Sequence, residues 1–305
     1  MTSTATDREA TPGDLLKPVV IAVAGAKGGT GKTTFATSLA CVAAEGGQTV
    51  TYVDCDVEEP DGHLFLHPEL EEPVSASAYV PVVDSEACTL CGACTQICQF
   101  GAIATLGGKV LSFPNLCHGC GGCEAVCPVH AITEGSREIG VVQSGHAQGV
   151  RFVHGILKVG EASSSPLIRK VKDHVATEGL TIIDCPPGTA CPSVQAVLGA
   201  DFVLLVTEPT RFGLHDLKLA VATMRSLNLA FAVAINRSDI GDDKTGAYCL
   251  EQKIEILMQI PEDRLIAEAY SRGEVVVDAC PQYKGAFVAL LRALLEHVGH
   301  RKGAN

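Results

Sequence analysis

The chain has 305 residues, of which 47% are hydrophobic and 19% charged. That balance supplies a core and excludes a mainly disordered polymer. Lys and Arg number 23 against 35 Asp and Glu, a formal net charge of −12, and Trp is absent; such a surface lacks both the pull on phosphate backbones and the stacking platforms of nucleic-acid binders, so no nucleic-acid partner is expected.

Residues 1–17 are polar, mixed in charge and without the apolar segment of a signal peptide, and they read as a flexible tail. No run approaches the ~20 apolar residues that span a bilayer. A cytoplasmic protein without membrane insertion is expected. Val19 to Ala24 reads as an apolar strand, followed by a Gly-rich turn and a helix from Lys32 to about Glu45, stopped by Gly46-Gly47. Thr49 to Val53 is a second strand, running into Asp54-Cys55-Asp56. Strand, turn, helix and strand make a βαβ unit and predict a parallel sheet.

From about Asp84 to Gly135 the texture changes. CTLCGACTQICQFGAI, from Cys88, aligns with CHGCGGCEAVCPVHAI, from Cys117, at a period of 29 residues. Eight of the 14 cysteines fall here. In a chain without a secretion signal such density points to metal or redox chemistry rather than disulfides. The stretch from Ser136 to about Ser165 reads as a hairpin or loop rejoining the sheet. Apolar strands then recur at Leu180 to Ile183, Phe202 to Val206 and Ala230 to Ile235, with a helix at Leu214 to Leu227. The fold class is therefore α/β, a doubly wound, mostly parallel sheet with ligands at the strands' carboxyl ends. The expected division is an α/β domain over 18–83 and 136–305, interrupted by a small α+β module over 84–135.

Ala26-Lys27-Gly28-Gly29-Thr30-Gly31-Lys32-Thr33-Thr34 lies between strand and helix, where a phosphate loop belongs. Its glycines free backbone N–H groups to face phosphate, and the helix N-terminus adds a positive dipole end. Lys32 supplies a cation for the β- and γ-phosphates, and Thr33 a hydroxyl for Mg²⁺. Ala26 stands where the first Gly of the usual pattern would be. Lys27 is surplus to one nucleotide and suits a second nucleotide across a dimer interface. Asp54 and Asp56, just past a strand, suit Mg²⁺ binding and orientation of an attacking water.

The loop resembles the deviant Walker A motif, K-G-G-x-G-K-T-T, of the MinD/ParA-type ATPases, a family that includes the Mrp-type carriers and the nitrogenase iron protein. The resemblance implies ATP as the nucleotide and a sandwich dimer in which Lys27 reaches the partner subunit's phosphates. It implies Asp54 on the Mg²⁺ side, Asp56 positioning water, and Asp184 as the Walker B carboxylate. The following Pro186-Pro187-Gly188 looks like switch II, with Gly188 donating to the γ-phosphate. Asn236 resembles the family's adenine-reading Asn, and Gln259-Ile260-Pro261-Glu262-Asp263 its adenine turn. The catalytic set is then Lys27, Lys32 and Asp56, with Gly28, Gly29, Thr30, Gly31, Thr33, Thr34, Asp54, Asp184, Gly188, Asn236 and Pro261 binding nucleotide.

Cys88, Cys91, Cys94 and Cys98 form C-x-x-C-x-x-C-x-x-x-C, repeated by Cys117, Cys120, Cys123 and Cys127. Three thiolates at these gaps wrap three corners of a cubane, and the fourth cysteine of each run ligates the other cluster. Cys88, Cys91, Cys94 and Cys127 are assigned to one [4Fe–4S] cluster, and Cys117, Cys120, Cys123 and Cys98 to a second. The module resembles a bacterial two-cluster ferredoxin, departing from it at Gln99, where Pro is usual. Cys41, Cys55, Cys185, Cys249 and Cys280 read as buried apolar residues. Cys191 falls in the switch II segment and reads as a free thiol, with a bridging cluster as the alternative. His63 and His67 lack a third ligand nearby, and Ala289 to Val298 reads as a core helix.

The expected function is a Mg²⁺-dependent ATPase that couples a nucleotide-driven switch and dimer to electron transfer through two [4Fe–4S] clusters. The alternatives are an iron–sulfur carrier ATPase and a redox-sensing positioning ATPase. Expected partners are a second copy or a related ATPase subunit, and a redox protein.

Overall fold

A computed structural model describes residues 18–302; the expected tail over 1–17 lies outside the described residues. β1 (Val19–Ala24) is apolar on both faces because both are covered. α1 (Lys32–Glu45) begins after Gly31 and ends at Gly46. β2 (Val50–Asp54), α2 (Gly62–Leu66) and the short β3 (Glu69–Leu70) follow. β2 carries Asp54 within the strand, one residue beyond the expected end.

β4 (Val74–Val83) then leaves the body and β7 (Ile132–Ala147) returns to it, paired antiparallel from Val74↔Val142 to Val83↔Ile132, with a register shift at Ala76/Ser77. At the far end of this ribbon hang α3 (Ala93–Ile97), the hairpin β5 (Ile103–Leu106) and β6 (Lys109–Ser112), and α4 (Gly122–Ala125). The 29-residue repeat reappears as geometry. Gly92 (φ 78°) and Gly121 (φ 68°) each start a helix. Ala102 N–H and Ala131 N–H each donate at 3.3 Å to the sulfur of Cys98 and Cys127. The module's own core is small: Cys94, Ile103, Cys123 and Ile132.

β8 (Val150–Leu157) completes a hairpin with β7 through Gln148 and Gly149, both at positive φ, the pairing that a two-residue turn requires. The stretch from 136 that reads as a hairpin or loop is thus strand for most of its length. After it come α5 (Ser165–Lys172), β9 (Leu180–Asp184), α6 (Cys191–Val197), β10 (Phe202–Thr207) and α7 (Arg211–Ser226). α7 starts three residues before the expected Leu214 because the Thr210 hydroxyl accepts from Gly213 N–H and caps it. β11 (Phe231–Ile235), α8 (Lys244–Glu251), β12 (Ile256–Gln259), α9 (Arg264–Ser271), α10 (Val276–Ala279) and α11 (Lys284–Lys302) end the fold.

The main sheet runs β12-β11-β10-β1-β9-β2-β8-β7-β3, with β4 also on β7. From β12 to β8 every pairing is parallel; β7 is antiparallel to its neighbours. The sheet is mixed, with its antiparallel part confined to one end. One face packs Phe35 and Leu39 of α1 against Phe287, Leu290 and Leu294 of α11. The other packs Leu167 of α5, Val197 of α6 and Leu217 of α7. The expected core helix near the C-terminus is therefore buried, and among the described residues no helix is long and apolar enough to cross a membrane.

α5 rests on β8 at Gly155, where an added Cβ would stand 2.6 Å from Val171 Cγ2 and 2.8 Å from Val57 Cγ1. Neither neighbour can retreat through a packed interior. Gly155→Ala is expected to lower stability by about 1–3 kcal/mol, read from urea unfolding.

Candidate functional site

β1, β9 and β2 are adjacent, and their carboxyl ends deliver the phosphate loop, Asp184 and Asp54 to one place. Beside them lies a cleft of about 400 Å³, lined by Gly28, Gly29, Gly31, Lys32, Thr33, Thr34, Asp56, Pro187, Asn236 and Pro261 among the expected residues. The loop's shape depends on glycine at Gly31: φ is 101°, and a Cβ there would lie 2.6 Å from Asn236 Nδ2. Asn236 Nδ2 donates to Thr30 O at 2.9 Å, and Asn236 Oδ1 accepts from Arg237 N–H. Its amide thus clamps the loop from the far side of the cleft. Lys32 is buried and donates to Lys27 O at 3.2 Å.

Asp54 and Asp184 face each other in register and are both buried. Neither lines the cleft; they stand behind its wall. Asp54 accepts N–H bonds from Asp56 and Gly62, each at 3.0 Å. Tyr52 donates its hydroxyl to Asp184 Oδ2 at 2.9 Å, while Asp184 Oδ1 is buried with no partner. Burial raises both carboxyls above the usual range, and Asp184's charge adds to the effect on Asp54. An orphaned anionic oxygen near the Thr33 hydroxyl is the chemistry a hard cation satisfies. Asp56 faces the cleft, pushed up to about 6 by burial and pulled back by Lys32.

Lys27 and Gly188 do not line the cleft. Lys27 turns its ammonium away, 3.8 Å from Glu208, which is 4% exposed. Glu208 also holds Arg237 at 3.0 Å, and Arg237 reaches Glu262 at 3.1 Å. Gly188 N–H donates to Gly25 O at 3.2 Å, tying the Pro-Pro-Gly turn to the start of the phosphate loop. Three participants escaped the sequence reading. Asp61 accepts the Thr33 hydroxyl at 2.9 Å; its signal was the acidic run continuing past Asp56. Tyr270 on α9 closes a wall of the cleft, with no motif to announce it. Glu208 was visible at a strand end, without a stated partner.

The eight module cysteines divide four and four. Cys88, Cys91, Cys94 and Cys127 line one small hollow. Cys98, Cys117, Cys120 and Cys123 line another. Apolar side chains complete both hollows, Val83, Val110 and Ile132 in the first, Tyr79, Phe100 and Ile103 in the second. Among the described residues no group of three or more His, Cys, Asp or Glu side chains is placed to hold a metal ion. The remaining cysteines are buried except Cys191, which is exposed. His63 pairs with His154 rather than with His67, their ring centroids 5.4 Å apart.

Residues 21–277 match the CobQ/CobB/MinD/ParA nucleotide binding domain. The chain belongs to that family. Two relatives from Methanocaldococcus jannaschii are each 30% identical: the uncharacterized proteins MJ0579, over 84% of this chain and 90% of its own length, and MJ0578, over 91% and 97%. Hydrogenase-4 component A of Escherichia coli is 33% identical over 45% of this chain and 66% of its own length. Among solved structures, the cell division ATPase MinD of Pyrococcus furiosus shares the fold at a TM-score of 0.57 and 22% identity, covering 91% of this chain and 98% of that one. MinD of Pyrococcus horikoshii, complexed with Mg-ADP, does so at 0.56 and 20%, covering 90% and 94%.

Two outcomes follow from the geometry. Lys32→Ala is expected to weaken binding of a fluorescent ATP analogue more than about tenfold, whereas Lys27→Ala leaves the monomer's affinity within about twofold. His154 is buried, and burial, with His63 beside it, lowers its pKa from 6.5 to about 4. The unfolded chain therefore takes up a proton that the folded chain refuses, and stability falls as pH drops from 6.5 towards 4. His154→Gln is expected to remove about 1–2 kcal/mol of the loss seen by urea unfolding between pH 7 and pH 5.

Proposed function

We propose that the chain is an ATP-hydrolysing switch protein whose inserted module, residues 84–135, holds two [4Fe–4S] clusters and passes electrons under nucleotide control. The observation that carries this reading is the four-and-four division of the cysteines beside a phosphate-loop cleft in one polypeptide. Four thiols around each apolar hollow, three from one run and one from the other, fit a cubane's four corners. When bound, such clusters supply one-electron transfer at a potential set by burial and hydrogen bonds to sulfur.

The chain's own residues carry the rest. Gly28, Gly29 and Gly31 present backbone N–H groups to phosphate, and Lys32 neutralises it. Thr33, with Asp61 and the unpartnered Asp184 oxygen close by, is suited to Mg²⁺. Asp56, inside the cleft with a raised pKa, is placed to orient a water. Asn236, Pro261 and Tyr270 border the space for the base. Lys27, parked on Glu208, is free to act on a partner subunit's phosphates once a sandwich dimer forms. The dimer joins two copies or one copy and a related subunit. Lys27→Ala is then expected to abolish ATP-dependent dimerisation while sparing nucleotide binding.

MinD neighbours favour a second reading, a positioning ATPase that dimerises on ATP without net electron flow. A carrier that hands its clusters on is less well served by hollows with four thiols each. Anaerobic purification separates these. About eight iron atoms per chain are expected, four for each hollow, with reducible cubane signals in electron paramagnetic resonance. Cluster potentials are expected to differ between ADP and a nonhydrolysable ATP analogue. Zinc, or no metal, sinks the redox reading; full clusters indifferent to nucleotide leave the positioning ATPase.

A further inference from the structure

The cleft and the cysteine hollows are separate, yet one short helix touches the elements behind both. α5 is held at its C-terminal end by Lys172. Its ammonium donates to Gln195 O at 2.9 Å, to Ala196 O at 2.8 Å and to Leu198 O. These are carbonyls at the C-terminal end of α6, where a helix leaves acceptors unsatisfied and favours a cation. α6 is tied in turn to the turn that precedes it. Ser193 Oγ donates to Pro186 O and Pro187 O, at 3.2 and 3.0 Å. Pro187 lines the nucleotide cleft, and Gly188 N–H holds Gly25 beside the phosphate loop.

One turn earlier on α5, Arg169 Nη2 donates at 3.3 Å to His118 O, inside the second cysteine run. The His118 ring stacks on Phe100 at 3.6 Å and an interplanar angle of 7°. Both rings line the hollow shared by Cys98, Cys117, Cys120 and Cys123. Between these ends the helix is wedged by Leu167, Ile168 and Val171, all fully buried. Residues three apart lie on one helix face, and an eight-residue helix this firmly packed shifts as a unit rather than bending.

We propose that Lys172 and Arg169 are positioning residues that carry the nucleotide state of the Pro186–Gly188 turn to the hollow lined by Cys98, Cys117, Cys120 and Cys123. The proposal rests on the nucleotide-controlled redox reading above. A γ-phosphate that draws the turn moves α6. Lys172 cannot let the helix end go without stranding a partly buried ammonium, so α5 follows. Arg169 then shifts the His118–Phe100 stack against the cysteines of that hollow. The first cysteine hollow has no such contact with α5 and responds less.

The full chain, purified without oxygen, is compared in ADP and in a nonhydrolysable ATP analogue as wild type, Lys172→Met, Arg169→Gln and Lys170→Met. Two quantities are read: hydrogen exchange of peptides spanning residues 114–123, and the midpoint potential of each cluster. In the wild type, both the exchange and one cluster's potential differ between nucleotides. Lys172→Met and Arg169→Gln are expected to cut those differences by at least about half, with iron content and nucleotide affinity unchanged, while Lys170→Met keeps them. Arg169 is exposed, so its variant folds even where Lys172→Met does not. Undiminished differences in Arg169→Gln overturn the relay alone. Their absence from the wild type overturns the functional reading and the relay with it.

Discussion

Two carboxylates set opposite each other in a closed interior repel, and neither is solvated. In this protein the parallel register of β2 and β9 imposes that arrangement on Asp54 and Asp184. The structure answers one oxygen at a time: backbone N–H groups for Asp54, the Tyr52 hydroxyl for one side of Asp184. One Asp184 oxygen is left over. The remaining cleft is organised by that deficit, with Lys32, Thr33 and Asp61 gathered beside it. Burial makes a charged oxygen there costly, and the raised pKa of Asp184 is the interior's answer until a cation or a donor meets it.

A second tension lies in the loop that holds two lysines. Lys32 turns inward and Lys27 outward, and the buried Glu208 makes the outward position comfortable by serving Lys27 and Arg237 together. A carboxylate so enclosed is expensive without cations and stable with two. The spare lysine therefore lies beside Glu208 with its side chain still 46% exposed.

Much of this was legible in the sequence because short-range chemistry wrote it. Strand, glycine turn and helix marked the phosphate loop from Val19 to Glu45, and the cysteine spacing marked the repeated segment from Cys88 to Cys127. Apolar strands from Leu180 onward gave the doubly wound body. What stayed hidden depends on distant pairing. Tyr52 meets Asp184 across 132 positions, and Asn236 meets Thr30 across 206. No local pattern states that a tyrosine will be spent on a carboxylate or that an amide will clamp a loop. Asp54 and Asp56 read alike in sequence, yet Asp54 ends β2 inside the interior, whereas Asp56 lies past the strand and lines the cleft. The long β7 was hard to see because its exposed stretches carry the polar residues of a loop.

The ribbon of β4 and β7 has a consequence for how such a chain stays monodisperse. β4 is the outer member of the pair, ten residues long, and where a bare margin of that length would invite other chains to add on, the second cysteine run lies against it, with Cys117 Sγ donating to Tyr79 O at 3.6 Å. The register shifts at Ala76/Ser77, where β7 carries the extra residue Ile139, and the buried Pro81 leaves β4 one amide short. The ribbon that carries the cysteines thus has a covered rim in place of an open one, and a segment added at the edge of the sheet leaves the parallel interior undisturbed.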